Sequence, residues 1–152
     1  EVKNAVPLLG VKPEDIVLLD YDVRQFKTER QSILEDIILL KKKYNPHKVF
    51  VPSPTDIHQD HQVISEEGLR AFKNITVLGY EMPWNNIAFN TRAFMKLEER
   101  HVQLKVSALK EYKSQQSRSY LTEEFIFSLA RVRGVQIGVQ YAESFEVIRT
   151  IL

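Results

Sequence analysis

Two histidines and two aspartates stand within six positions of one short segment of this chain. The segment is PSPTDIHQDHQ, residues 52–62, and it contains Asp56, His58, Asp60 and His61. Imidazole nitrogens and carboxylate oxygens bind zinc and harder divalent metals, and the same groups serve as general acids and bases. A catalytic zinc takes three protein ligands and keeps one position for water. The segment therefore predicts part of a metal site, with the remaining ligands supplied from elsewhere.

The same residues also have a purely structural interpretation. Aspartates are common in loops and at helix N-termini, and Asp60 lies where a helix is predicted to start. A histidine beside such residues is often only solvated. Spacing alone leaves two hypotheses open: a reactive site, or a polar loop that ends in a helix cap.

The predicted elements place this segment at the carboxyl end of a strand. Strands are predicted at residues 15–20, 48–51, 75–82, 93–97 and 143–152, and helices at 5–9, 28–44, 60–73, 98–115 and 122–134. Thr28 is the predicted cap of the second helix. The alternation of strands and helices is typical of βαβ units in a parallel sheet, whose strand-end loops form the ligand crevice. The position of the segment favours a functional site.

The composition predicts one globular domain over residues 1–152. Hydrophobic residues make up 43% of the chain, and the formal net charge is +1, so no overall field would attract nucleic acid or an acidic membrane. No apolar run is long enough to span a bilayer. The chain has no cysteine, so any metal must be bound by His, Asp or Glu. The absence of cysteine also fits a cytoplasmic location.

Four residues outside the segment are candidate substrate-binding groups. Glu81 and Trp84 follow the strand predicted at residues 75–82, and Tyr141 and Glu143 lie at the start of the last strand. A partly buried loop aromatic is an equally good interpretation of Trp84. Tyr141 and Glu143 reach a pocket only if the final loop turns back toward the cleft.

The residues around the histidines resemble a known family. VFVPSPTDIHQDH strongly resembles the second signature of the LmbE-like, or PIG-L, family of zinc-dependent N-deacetylases. The resemblance continues through LGYEMPWNNIAFN, KVSALKEYKSQ and LARVRGVQIGVQYAESFEVIR, which are similar to the bacterial sugar-deacetylase branch. It covers nearly the whole chain.

The resemblance implies a Rossmann-like α/β fold with a mostly parallel sheet and helices on both faces. It implies a hydrolase that removes an acetyl group from an N-acetylglucosamine-type sugar or conjugate, with zinc as cofactor, although a His and Asp site also accepts iron or cobalt. By the same resemblance His61 is the metal ligand, His58 the electrophile or acid, and Asp60 a carboxylate that orients a partner.

One part of the family pattern is absent. The first signature, an A-H-P-D-D-E-like segment that supplies the other metal ligands and the general base, has no match in residues 1–57. We therefore expect the chain to be the larger, C-terminal part of such a deacetylase, inactive alone and without its first strand. The missing strand would come from a partner chain, or self-association would cover the exposed sheet edge.

Two other function classes remain open. A non-catalytic α/β module would bind a sugar, a nucleotide or a protein partner through the same strand-end crevice. A metal-dependent phosphoesterase is also compatible with His and Asp side chains, but no glycine-rich phosphate loop supports it.

Overall fold

The computed structural model describes residues 1–152 as an α/β protein. The helices are α1 (Val2–Leu8), α2 (Arg30–Tyr44), α3 (Gln59–Ala71), α4 (Glu99–Leu109) and α5 (Glu123–Gln136). The strands are β1 (Lys48–Pro52), β2 (Thr76–Tyr80), β3 (Ala93–Leu97) and β4 (Tyr141–Arg149). None of the five helices is long and apolar enough to cross a membrane.

The four strands form one open sheet in the order β1-β2-β4-β3. β1 and β2 are parallel, with Val51 opposite Gly79, and β4 runs antiparallel to β2, with Glu146 opposite Gly79. The predicted α/β fold is confirmed. The expectation of a mostly parallel sheet needs correction, because the sheet is mixed and β4 returns in the opposite direction.

The chain divides into two compact units. One contains residues 1–19 and 94–143, and the other contains residues 20–93 and 144–152. In the first unit, α4 and α5 bury an apolar core of Val102, Val106, Ile126 and Ala130. The second unit contains the histidine segment.

In the second unit, α3 packs closely on β1. A Cβ atom at Gly68 of α3 would lie 2.9 Å from Val51 Cγ1 of β1, so a glycine is needed for this approach. α3 also contacts α2 through the fully buried carboxylate of Glu67, which pairs with Arg30 of α2 and with Arg70 of α3. These two partners compensate the burial of the charge.

The strand predicted at residues 15–20 is wrong. Residues 13–15 form a short 3₁₀ turn, residues 16–20 have no regular secondary structure, and Leu18 is 53% exposed. An apolar sequence forms a strand only where a neighbouring strand supplies hydrogen-bond partners, and none of the four strands pairs with this run.

Helix boundaries also differ from the prediction. Thr28 does not cap α2, because its hydroxyl donates to the carbonyl of Gln25 and the helix begins two residues later. α3 begins at Gln59 with His58 as its N-cap, and α5 continues past Gly134 to Gln136.

Candidate active site

A short turn directly after β1 places Asp56. The N–H of Asp56 donates to the carbonyl of Ser53 at 3.0 Å, and the N–H of Ile57 donates to the carbonyl of Asn85 at 3.1 Å. The turn is thus anchored to β1 on one side and to the loop after β2 on the other. These contacts bury Asp56, which is 1% exposed.

The carboxylate of Asp56 sets the orientation of His61. Asp56 Oδ1 accepts a hydrogen bond from the N–H of His58 at 2.8 Å, and Oδ2 lies 2.7 Å from His61 Nδ1. A carboxylate only accepts, so the neutral imidazole of His61 carries its proton on Nδ1. The lone pair on Nε2 is left free, and the side chain is 27% exposed. This arrangement suits a metal ligand, whose second nitrogen is usually bound to a carboxylate.

His58 has the opposite tautomer. As the N-cap of α3, its Nδ1 accepts a hydrogen bond from the N–H of Asp60 at 3.2 Å, so the proton lies on Nε2. The rings of His58 and His61 stack with their centroids 4.4 Å apart. One short segment therefore presents, side by side, an Nε2–H that can donate and an Nε2 lone pair that can bind a cation.

The carboxylate of Asp60 is hydrogen-bonded to a different part of the chain. Its Oδ2 accepts a hydrogen bond from the N–H of Arg24 at 2.7 Å, and its Oδ1 is buried with no partner. Arg24 has a φ of 73°, a conformation that costs free energy in a residue with a Cβ. The carboxylate that contacts an imidazole is Asp56, although the sequence resemblance assigned that kind of role to Asp60.

Tyr80, at the end of β2, is partly buried near Asp56. Burial, together with the nearby charge of Asp56, raises the pKa of Tyr80 to about 12. Both influences disfavour the phenolate, so Tyr80 remains a neutral hydroxyl beside the site.

Glu81 and Trp84 lie in the segment between β2 and β3. The hydroxyl of Ser144 donates to Glu81 Oε2 at 3.0 Å, and Trp84 is 38% exposed. Trp84 precedes Asn85, whose carbonyl is bonded to Ile57 of the histidine segment. The structure thus places Glu81 and Trp84 in the same unit as the histidines, and their substrate-binding role stays a prediction.

Tyr141 and Glu143 lie at the start of β4, in the unit formed by α4 and α5. The ring of Tyr141 packs edge-on against Phe127 with centroids 5.7 Å apart. Glu143 forms a 2.6 Å ion pair with Lys105 of α4. Both residues have structural partners within their own unit, and their substrate-binding role also stays a prediction.

Sequence reasoning missed two buried polar residues, Ser53 and Glu146. The hydroxyl of Ser53 donates to Glu146 Oε2, and Ser53 is fully buried. A signal was present in β4, where Ala142, Ser144 and Glu146 alternate as the buried positions. A serine and a glutamate at such positions need polar partners inside the protein.

The residues of this chain do not fit a complete zinc site. No group of three His, Asp or Glu side chains converges as metal ligands. The two carboxylate oxygens of Asp56 are hydrogen-bonded to His58 and His61, and His58 carries its proton on Nε2. What fits is one ligand, His61, with the carboxylate that orients it.

No family model matches the chain, but solved structures share its fold. N,N'-diacetylchitobiose deacetylase from Pyrococcus horikoshii superposes with a TM-score of 0.74 at 21% identity, over 96% of this chain and 61% of the deacetylase. The zinc-inhibited form of teicoplanin deacetylase Orf2 superposes with a TM-score of 0.62 at 18% identity, over 85% of this chain and 55% of that enzyme.

The same fold also occurs in a protein with a different reaction. GalB, the 4-carboxy-2-hydroxymuconate hydratase from Pseudomonas putida KT2440, superposes with a TM-score of 0.68 at 17% identity, over 98% of this chain and 70% of the hydratase. At these identities the likeness establishes the fold, not the reaction. It agrees with the family resemblance of the sequence, and the chain spans about three fifths of the length of the Pyrococcus deacetylase.

Proposed function

We propose that this chain belongs to the LmbE-like, or PIG-L, family and forms part of the active site of a zinc-dependent N-deacetylase. One observation carries the proposal: His58 and His61 stack with opposite tautomers, each fixed by a hydrogen bond at Nδ1. A polar loop without chemistry has no need of a buried carboxylate that holds one imidazole in a defined tautomer. Metal-dependent amide hydrolysis uses both a donor at the carbonyl oxygen and a bound cation.

His58 acts on the carbonyl group in this proposal. Its Nε2–H donates to the oxygen of the acetyl group, and the hydrogen bond strengthens as that oxygen becomes an oxyanion in the tetrahedral intermediate. Water adds to the carbonyl carbon and the C–N bond breaks, which yields acetate and a free amine. The backbone N–H of Asp60 keeps the His58 proton on Nε2, the donor in this proposal.

His61 would hold one coordination position of a zinc ion. Asp56 keeps the proton on Nδ1, so Nε2 is ready to bind without losing a proton. The other ligands and the general base lie outside residues 1–152 in this proposal, because the chain itself brings no three ligands together. β1 lies at one edge of the sheet, so an additional strand would have an edge to join beside the site.

The substrate we propose is an N-acetylated amino sugar or its conjugate. Of the structurally similar deacetylases, one is a diacetylchitobiose deacetylase and the other belongs to teicoplanin biosynthesis. Trp84 supplies a partly exposed ring on which a sugar can stack, and Glu81 a carboxylate that accepts from hydroxyl groups. Tyr141 and Glu143 are the further candidates from the sequence.

Acetate release tests the proposal. The native assembly that contains this chain is incubated with N-acetylglucosamine conjugates, with and without a chelator, and acetate and free amine are measured. We expect acetate release that the chelator abolishes and zinc restores. In a parallel incubation with an unsaturated carboxylic acid, water addition to that acid, with no acetate release from the conjugates, would instead indicate a hydratase. Binding of the sugar without turnover would indicate a non-catalytic module.

A further inference from the structure

Glu146 of β4 links two loops through its buried carboxylate. Its Oε2 accepts a hydrogen bond from the hydroxyl of Ser53, which follows β1, and its Oε1 accepts from the N–H of Asn90 at 3.1 Å. Asn90 belongs to the loop after β2. Glu146 is 7% exposed, and a buried carboxylate is costly unless both oxygens are hydrogen-bonded. These two bonds therefore hold both loops to β4.

The contact between Ser53 and Glu146 crosses β2, which lies between β1 and β4. Gly79 of β2 allows the crossing. A Cβ atom at Gly79 would lie 3.2 Å from Ser53 Cα and 3.5 Å from Glu146 Cβ. The close approach of the two residues thus depends on the absence of a side chain at this position.

Ser53 connects Glu146 to the histidine segment through hydrogen bonds to the backbone of the turn. The N–H of Thr55 donates to Ser53 Oγ at 3.2 Å, and the N–H of Asp56 donates to the carbonyl of Ser53 at 3.0 Å. Both bonds define the turn that presents Asp56 to His61. Glu146, Ser53, Asp56 and His61 are therefore connected by consecutive hydrogen bonds.

We infer that Glu146 is a positioning residue for His61. It touches neither histidine. By fixing Ser53 it holds Asp56 Oδ2 against His61 Nδ1, which keeps Nε2 free of a proton. The inference rests on the proposed function in one respect, that Nε2 of His61 binds the metal. It adds that Glu146 controls whether this nitrogen is free of a proton.

Nitrogen NMR of the 152-residue chain tests the inference without metal or substrate. The long-range ¹H–¹⁵N spectrum of His61 shows which ring nitrogen carries the proton, and the Nδ1–H exchange rate shows how well it is protected. In Glu146→Leu and in Ser53→Ala we expect a mixture of tautomers and exchange faster by about fivefold, the factor for losing one net hydrogen bond. Asp56→Ala provides the reference for complete loss.

Ser65→Ala is the matched control. Ser65 of α3 is also buried, and its hydroxyl has no hydrogen-bond partner. The change removes the same atoms as Ser53→Ala but leaves the chain from Glu146 to His61 intact, so the His61 spectrum should not change. The double variant Ser53→Ala/Glu146→Leu should shift His61 no further than the larger single variant, because both changes break one link.

Folded Glu146→Leu and Ser53→Ala variants with the wild-type tautomer and exchange rate would overturn the inference. If either variant does not fold, Glu146→Asp decides. It keeps the carboxylate but shortens the side chain by one methylene, so it cannot reach both Ser53 and Asn90. An unchanged His61 spectrum in Glu146→Asp would likewise refute a positioning role. Because activity is not measured, failure of the deacetylase proposal would leave this result intact.

Discussion

At the scale of single residues, the two imidazoles owe their different chemistry to what each Nδ1 contacts. His61 faces the carboxylate of Asp56, and His58 faces a backbone N–H at the start of α3. Their side chains are otherwise alike and stacked. The local hydrogen bonds thus decide which ring can donate a proton and which can bind a cation.

Two substitutions of His58 separate its structural role from its catalytic one. Asparagine is a favoured N-cap residue, so His58→Asn should keep α3 stable, whereas His58→Ala should lose about 1 kcal/mol. Both changes remove the Nε2–H donor, so both should lower kcat by about a hundredfold to a thousandfold. Zinc content should not change in either variant. Thermal unfolding, acetate release and metal analysis measure the three effects, and wild-type kcat in His58→Asn would disprove the donor role.

Tyr80 gives a pH-dependent signal of the charge at Asp56. Its pKa is raised to about 12, mainly by burial and then by Asp56. The neutral form is favoured in the folded state, so this contribution to stability is complete below pH ~10 and is lost as the pH rises toward 12. In Asp56→Asn the Tyr80 pKa should fall, but only in part, because burial remains.

The difference between the ultraviolet titrations of each protein and its Tyr80→Phe variant isolates this tyrosine. Tyr21 is the control, isolated in the same way with a Tyr21→Phe variant. Its pKa is also raised to about 12, mainly by its hydrogen bond to Asp36, and should not respond to Asp56→Asn. A Tyr80 pKa that stays at the wild-type value in Asp56→Asn would show that Asp56 carries no charge near it.

At the scale of elements, α3 and β1 approach each other at Gly68, a glycine of the helix that also carries His61. Gly68 lets the helix approach Val51, and β1 then continues into the turn that carries Asp56. This packing sets the distance between the helix that holds His61 and the strand that ends at Pro52. The geometry of the site thus depends on a packing contact between two residues that take no part in the proposed reaction.

Gly68→Ala tests this contact. The new methyl group would lie 2.9 Å from Val51 Cγ1, and we expect a loss of about 1 to 3 kcal/mol of unfolding free energy from overpacking. Because the obstacle is a side chain, the double variant Gly68→Ala/Val51→Ala should lose less than the sum of its single variants. Denaturant unfolding measures all four proteins. Strict additivity would mean that the two residues do not share this space.

The sequence predicts most helices and strands because their apolar periodicity coincides with their packing. β1, β3, α2 and α3 lie close to their expected positions, whereas α4 ends at Leu109, six residues before its predicted end. The run at residues 16–19 shows why the rest was not predictable, since its strand propensity finds no neighbouring strand. The roles of Asp56, Ser53 and Glu146 depend on hydrogen bonds between residues far apart in sequence or on the fold of a turn, which spacing alone does not reveal.

At the scale of the whole molecule, the chain presents one ligand and one donor of a proposed metal site. In the proposed enzyme the remaining ligands come from outside residues 1–152, and β1 offers a free edge beside the site. The net charge of +1 gives no overall field that would attract an added segment from a distance. The exposed Phe50 of β1 offers an apolar side chain that such a segment can cover.

Native mass spectrometry with added zinc tests the proposed half-site most directly. The 17.7 kDa monomer should bind no stoichiometric tight zinc, because one histidine is too few ligands. Tight zinc should appear only in species of higher mass that contain a further segment, and His61→Ala should abolish it while His58→Asn keeps it. Stoichiometric tight zinc in the monomer, or zinc retained by the His61→Ala assembly, would contradict the proposal.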